Sequence, residues 1–272
     1  MSFSDTTELS NGVKLPWLGL GVYKVTDNAE DVIKAALDIG YRCIDTAAFY
    51  GNEVEVGRAI RASGIPRDEI FVTTKLWNDN QGYERALEAF ENSREALGLE
   101  VIDLYLIHWP VEELYCESWF ALEKLYRDGK TRAIGVSNFA VPHLTRVLRE
   151  GELTPMLNQV EFHPFVYDPE LVSYCNNMGI QLQAYSPLAR AKRLDDPVLT
   201  AIARNHNKKP SQVILRWDLE HGVATIPKTV NPERMRENAG IFDFQLSAEE
   251  VAAIDGLACN ERIGVDPRTM PA

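Results

Sequence analysis

Residues 103–136 read DLYLIHWPVEELYCESWFALEKLYRDGKTRAIGV. The stretch opens on a flat apolar run at 103–107 and crosses an amphipathic segment at 117–126. It then turns at Asp128-Gly129 and closes on a second apolar run at 133–136. Runs that do not alternate with polar residues belong to strands covered on both faces, the setting of a parallel sheet. Parallel neighbours need a long crossover, usually a helix, so the stretch reads as one β–α–β unit.

The unit repeats outward in both directions. Further apolar runs at 18–21, 43–44, 70–74, 156–160, 180–184 and 223–226 bring the predicted strands to eight. Between them lie helical patterns. Residues 29–39 carry Val32, Ile33, Ala36 and Leu37 on one stripe before Gly40, and residues 81–97 are closed by Gly98. Residues 141–148 end at Gly151 and residues 169–176 near Gly179, with Pro142 and Pro169 in first turns, where proline is tolerated. An unbroken eightfold rhythm predicts an α/β fold, a closed (β/α)8 TIM barrel forming a single domain over residues 1–272. Residues 8–15, centred on Asn11-Gly12, predict an N-terminal β-hairpin capping the barrel bottom. After the seventh run come a loop at 187–196 and two helical stretches. Residues 247–257 add a C-terminal helix opened by Ser247 with Glu250 three residues on, a capping box.

Composition narrows the function. With 28 basic and 40 acidic residues the net charge is −12, a poor match for the phosphate backbone of nucleic acid and an argument against anionic membrane surfaces, so neither is expected as a partner. A hydrophobic content of 45% and a charged content of 25% exclude disordered, collagenous and coiled-coil classes. Cys43, Cys116, Cys175 and Cys259 form no C-x-x-C pair, and His108, His143, His163, His206 and His221 form no H-E-x-x-H. No metal site is expected, and the thiols suit a reducing cytoplasm. The first twelve residues lack a secretion signal, and Asp103 and His108 interrupt the most apolar stretch, 101–111, too early for a membrane span.

Polar residues recur where the runs end: Asp45, Lys75, His108, Ser137-Asn138, Gln159 within the sixth, Tyr185-Ser186, and Lys228 after the eighth. Singly, each has a plain reading as a helix cap, a solvated lysine or a core histidine. In a parallel barrel, however, they share the C-terminal rim where such enzymes do their chemistry, and together they point to an active site.

The same residues carry a resemblance. The motifs Asp45-Thr46-Ala47-Ala48-Phe49-Tyr50-Gly51-Asn52-Glu53, Thr74-Lys75-Leu76-Trp77 and Ile107-His108-Trp109-Pro110 resemble those of the aldo-keto reductase family. So do Asp128-Gly129-Lys130, Ile134-Gly135-Val136-Ser137-Asn138-Phe139, Gln159, Tyr185-Ser186-Pro187-Leu188 and Ile226-Pro227-Lys228. The matches fall in family order over nearly the whole chain and are most similar to short bacterial reductases of the diketogluconate and methylglyoxal type.

The resemblance implies NADP-dependent reduction of aldehydes and ketones by a tetrad of Asp45, Tyr50, Lys75 and His108. Chemistry supports the set independently. A phenol is a reluctant acid near pH 7, and a neighbouring ammonium, Lys75, is expected to lower its pKa while Asp45 holds that ammonium charged. His108 can donate to the substrate oxygen as charge develops there. No G-x-G-x-x-G follows a first strand, so a Rossmann domain does not carry the cofactor. By resemblance Ser137, Asn138 and Gln159 hold the nicotinamide amide and Tyr185 stacks under the ring. Gly21, Val22, Tyr23, Asp45, Ser186 and Leu188 border the dinucleotide. Lys228, Thr229, Val230 and Arg234 grip the adenosine phosphate, with Arg234 in a first helical turn opened by Pro232, and Glu237 and Asn238 lie near adenine. A 2′-phosphate there would meet backbone amides and a forked guanidinium, favouring NADP(H).

Ala189 stands where the family usually has glycine, which puts the turn in question, and Arg190, Lys192 and Arg193 either clamp the pyrophosphate or are solvated. Tyr23, Phe49, Tyr50, Trp77, His108 and Trp109 are expected to line a substrate pocket suited to small α-dicarbonyls, aromatic aldehydes or keto sugars. Two competing readings are a Schiff-base lyase or aldolase working through Lys75 and a non-catalytic cofactor-sensing subunit. A monomer is expected.

Overall fold

The structure, a computed structural model, describes residues 1–269, so the last three residues of the expected domain lie outside the described residues. The chain opens with the hairpin, β1 (Thr6–Glu8) paired antiparallel to β2 (Lys14–Pro16). Asn11-Gly12 does not form a two-residue turn. The Gly12 amide donates to the Leu9 carbonyl at 2.8 Å, and Gly12 takes the left-handed φ of +84° that follows such a turn in a bulged hairpin. Thr7 donates to Gln181 Oε1 at 2.9 Å and Asn11 Nδ2 to the Arg132 carbonyl at 2.9 Å. Both partners stand at the starts of barrel strands, so the hairpin covers the bottom.

Eight parallel strands follow where the apolar runs predict them: β3 (Leu20–Gly21), β4 (Cys43–Asp45), β5 (Phe71–Leu76), β6 (Ile102–Ile107), β7 (Thr131–Ser137), β8 (Leu157–Glu161), β9 (Gln181–Tyr185) and β10 (Ala224–Thr225). Each is hydrogen-bonded to the next in chain order. The ring closes where Leu18 bridges Thr225 in parallel, with the Gly19 amide donating to the Thr225 carbonyl at 2.9 Å. Gly19 is required at this joint because a Cβ there would come within 2.8 Å of Cys43 Sγ. Asp45, Lys75, Ser137, Glu161 and Tyr185 belong to the strands themselves. The ladder therefore carries these polar side chains up to the rim on fixed backbone.

The helices are α1 (Ala29–Ile39), α2 (Glu53–Ala62), α3 (Tyr83–Leu97), α4 (Tyr115–Arg127), α5 (Val141–Glu150), α6 (Pro169–Met178), α7 (Pro197–Asn205), α8 (Pro210–Glu220), α9 (Pro232–Ala239) and α10 (Ala248–Asp255). The expected capping box opens α10: the Glu250 amide donates to Ser247 Oγ at 3.2 Å and the Ser247 amide to Glu250 at 3.0 Å. Helix α2 is not predicted by the apolar pattern. Its buried stripe includes a carboxylate, Glu53, beside Val56 and Ile60, and an interior glycine, Gly57, argues against a helix on propensity. Gly57 is there because a Cβ would lie 2.0 Å from the Leu97 carbonyl, so tertiary packing overrides propensity. No helix among the described residues is long and apolar enough to cross a membrane.

Behind β10, α8 buries Asp218 completely, and neither carboxyl oxygen has a hydrogen-bonded partner. Burial pushes its pKa well above the usual carboxylate range, and the nearby Thr225 hydroxyl offsets little of that. The folded state thus keeps a proton that the unfolded chain releases above about pH 4, so stability falls as pH rises toward the raised folded value. Asp218→Asn removes this liability. Thermal unfolding should show no gain at about pH 4 and a growing one toward pH 8, reaching about 1–3 kcal/mol; a pH-independent difference would refute the assignment.

Candidate active site

The site is assembled from the chain ends of β4, β5 and β6. Asp45 closes β4, and the next residues form a short 3-10 turn, Ala48–Tyr50, ended by Gly51 at φ +65°. This turn returns the Tyr50 hydroxyl to the barrel mouth. Asn52 ties the loop down: its Nδ2 donates to the Val22 and Val25 carbonyls at 3.0 and 2.9 Å, and its Oδ1 accepts from the Thr46 hydroxyl at 2.6 Å. Lys75, on β5, is fully buried. Its Nζ donates to Asp45 Oδ1 at 2.6 Å, to the Thr46 carbonyl at 2.8 Å and to the Tyr50 hydroxyl at 3.3 Å. An ammonium has three donors, and all three are used. His108 follows β6, its ring edge-on to Tyr50 with centroids 5.8 Å apart.

The electrostatics correct one expectation. Although Tyr50 keeps partial exposure at the mouth, burial and the Asp45 carboxylate raise its pKa well above 10. The Lys75 ammonium, 3.3 Å from the hydroxyl, favours the phenolate, but burial and Asp45 outweigh it. Burial draws the Lys75 ammonium down and the Asp45 carboxyl up, and their mutual attraction opposes both shifts. His108 is held well below its usual pKa by burial and by Lys75, so the ring is neutral.

The amide and hydroxyl residues expected to hold a nicotinamide are also brought together. Ser137 donates to the Gln159 carbonyl at 2.8 Å. Asn138, at φ +65°, donates to the His108 carbonyl at 2.9 Å and to Ser137 Oγ at 3.2 Å, and its Oδ1 accepts from the Tyr185 hydroxyl at 2.7 Å. Gln159 Nε2 donates to Asp45 Oδ2 at 2.6 Å and to Gln183 Oε1 at 2.8 Å. Their donors are spent on the protein, and what remains open is acceptor capacity, which suits the NH2 of a carboxamide. The acceptors therefore fit the NH2 side of the group. Gln183, the partner behind Gln159, carries no signal in the sequence because it lies within an apolar run. Thr46 and Asn52 were visible only as part of a motif.

Around this centre Gly21 packs within 3.0 Å of the Ile226 carbonyl, measured from where a Cβ would stand, and the Val22 amide donates to the Asp45 carbonyl at 3.0 Å. Ser186 takes φ +49° and Leu188 is half-buried. Ala189, Arg190 and Ala191 take φ of +46°, +54° and +63°, so the turn forms without glycine, at a cost in backbone strain. Arg193 is not free to clamp a pyrophosphate: it pairs with Asp196 at 3.1 Å and Glu261 at 3.5 Å and lies over the Phe165 ring. Arg190 and Lys192 remain exposed.

At the far end, Asn231 Oδ1 accepts from the Glu233 and Arg234 amides at 2.8 and 3.3 Å, so the first amides of α9 are already capped. This corrects the expectation that they are open to a phosphate. Thr229 is buried and accepts from the Asn231 amide at 3.1 Å, Asn238 is buried, and Glu237 is paired with Lys209. Lys228, Val230 and Arg234 stand exposed, which leaves two cationic side chains on this edge. At the mouth Phe49, half exposed, stacks on Trp77 with centroids 3.8 Å apart, and Tyr23 lies 5.0 Å from Tyr50. Trp109 is fixed through its carbonyl by Gln81 at 2.7 Å. Among the described residues no cluster of three or more His, Cys, Asp or Glu could hold a metal.

Lys75→Met would leave Asp45 unpaired in the barrel, a loss of about 3–5 kcal/mol. Asp45, its pKa then raised further, is tolerated at acid pH once protonated and destabilises as pH rises. Denaturant unfolding should show the deficit shrinking toward pH 4 and relieved by adding Asp45→Asn; a constant deficit would mean that the buried charge is not its source.

Comparison with known proteins bears on this geometry. The Aldo/keto reductase family profile matches residues 17–258. The chain is 56% identical over 268 residues to a glyoxal reductase of Bacillus subtilis (strain 168), covering 98% of this chain and 97% of that one. It is similar to the crystal structure of MGS-M4, an aldo-keto reductase from a deep-sea metagenome library, with a TM-score of 0.95, 43% identity and coverage of 98% and 100%. A Gox0644 mutant crystallised in complex with NADPH gives a TM-score of 0.93 at 38% identity, covering 98% of each chain. The chain belongs to the aldo/keto reductase family.

Proposed function

We propose that the protein, acting as one domain, reduces aldehydes and ketones to alcohols with NADP(H), small α-dicarbonyls, aromatic aldehydes and keto sugars being the substrates the pocket suits, and that Tyr50 is the general acid. The observation that carries this reading is the 3.3 Å contact of Lys75 Nζ with the Tyr50 hydroxyl beside a neutral His108. When bound, the nicotinamide supplies a hydride to the carbonyl carbon. Every other requirement falls to side chains of this chain. Tyr50 keeps its proton throughout the working pH range and passes it from Oη to the developing alkoxide. An alkoxide is a far stronger base than a phenolate, so the transfer needs no acidified phenol. His108, neutral and beside Tyr50, can donate a ring N–H to the same oxygen. Lys75, through its contact with Tyr50, stabilises the phenolate left behind, and Asp45 and the Thr46 carbonyl keep the ammonium oriented.

Ser137, Asn138, Gln159 and Tyr185 would hold the nicotinamide end, and Lys228 and Arg234 the adenosine phosphate. The stacked Phe49–Trp77 pair offers a flat apolar wall to the substrate. The relationship to a glyoxal reductase supports small dicarbonyls. A Schiff-base lyase would need a free amine on Lys75, whose three donors are all engaged, and a purely cofactor-sensing subunit would have no use for the assembled tetrad. A cytoplasmic monomer completes the proposal.

Three outcomes test it. Tyr50→Phe should lower kcat for methylglyoxal by at least about a hundredfold while NADPH binding, followed by fluorescence, stays near wild type; retained turnover would overturn the acid assignment. Reduction should be flat between about pH 6 and 9, whereas alcohol oxidation, which needs the phenolate, should rise with pH across that window; a falling reduction limb near neutrality would contradict a strongly raised Tyr50. Arg234→Met should weaken NADPH binding on the order of tenfold with little change for NADH, and equal effects on both would remove the 2′-phosphate role.

A further inference from the structure

One buried carboxylate at the rim has no part in the scheme above. Glu161 ends β8 and is 4% exposed. Its Oε1 accepts from His163 Nε2 at 3.0 Å and from the Ile263 amide, and its Oε2 accepts from the Gly264 amide at 3.0 Å. Burial alone would raise its pKa, but His163 and the two amides hold it below the usual range, so it is ionised. The segment it grips, residues 259–266, is fastened twice more. The Phe165 carbonyl accepts from the Cys259 and Glu261 amides at 3.3 and 3.1 Å, and Arg193 bridges Glu261 and the Phe165 ring.

The segment lies against the site. A Cβ on Gly264 would stand 3.2 Å from Glu161 Oε2 and 3.6 Å from the Tyr185 hydroxyl. That hydroxyl donates to Asn138, whose side chain in turn holds the His108 carbonyl. The hydroxyl edge of Tyr185 is therefore boxed between Asn138 and the strap. The backbone bonds at Phe165 would suffice to dock a tail. Aiming a desolvated charge at two successive amides beside Tyr185 is costly unless the placement matters.

We propose that Glu161 is a positioning residue for the cofactor: by clamping residues 259–266 against Tyr185, it fixes the ring on which the nicotinamide stacks. The inference rests on the reading of Tyr185 given under Proposed function. Glu161→Gln keeps the size of the side chain but turns an acceptor into donors facing two amides. Gly264→Asp sets a second carboxylate beside Glu161 and lifts the strap from the other side.

In the full-length protein without cofactor, hydrogen exchange at 263–264 should accelerate at least about tenfold in either variant, with β5 and β6 unchanged. The NADPH dissociation constant, measured by fluorescence titration, should rise about tenfold in each. The double variant should be no worse than the weaker-binding single, since both act through one strap. Faster exchange with unchanged NADPH binding would overturn the proposal, as would additive losses in the double variant or accelerated exchange spreading into β5 and β6. A wild-type protein that binds no NADPH would instead sink the nicotinamide reading, and the exchange measurement would still report on the clamp.

Discussion

The ammonium of Lys75 has no water to turn to, and the architecture of the barrel mouth follows from satisfying it. A lone charge in that position is intolerable, so Asp45 must come to 2.6 Å and the Thr46 carbonyl to 2.8 Å. Bringing the Thr46 carbonyl there fixes the chain just beyond β4, and the 3-10 turn that follows delivers Tyr50 as the third partner. Asp45 in turn needs a second donor for its other oxygen, which Gln159 supplies from across the barrel. One buried pair thus sets the positions of side chains from three strands and the intervening loop.

The same economy links recognition to chemistry. Asn138 and Gln159, proposed to hold the nicotinamide, are each bonded to a tetrad residue, Asn138 to the His108 backbone and Gln159 to Asp45. Preorganisation of this kind needs no rearrangement as charge develops, because the dipoles are already committed. Asp45, Lys75, Ser137 and Gln159 lie within the strands themselves, and a side chain on a hydrogen-bonded ladder is held more firmly than one on a loop.

Much of this was legible in the sequence. Eight apolar runs at recurring spacing dictate parallel strands, and polar residues at or near the ends of seven of them mark the rim. Helix α2 was hidden because two of its buried positions are Glu53 and Gly57, and Gly57 answers to the Leu97 carbonyl, a tertiary demand that an apolar pattern does not record. Gln183 was hidden for a related reason, since it shares its run with Gln181 and neither stands out until the partner across the barrel is known, and Glu161, just past the sixth run, is eclipsed by Gln159 within it. The raised pKa of Tyr50 was out of reach because its main cause is burial at the folded mouth, with the Asp45 carboxylate second, and neither can be read from residue identities. The strained turn at 189–191 shows the limit of reasoning from glycine alone.

The closure of the ring has a mechanical consequence. β3 and β10 are the shortest barrel strands, two residues each, and Leu18 meets Thr225 through an isolated bridge. With so few backbone bonds, this seam is where the cylinder can part at least cost, while β5, β6 and β7 stay locked. Gly21 and Val22 flank the seam, with Asp45 on the adjoining strand, so the weakest joint of the cylinder borders the ionic layer.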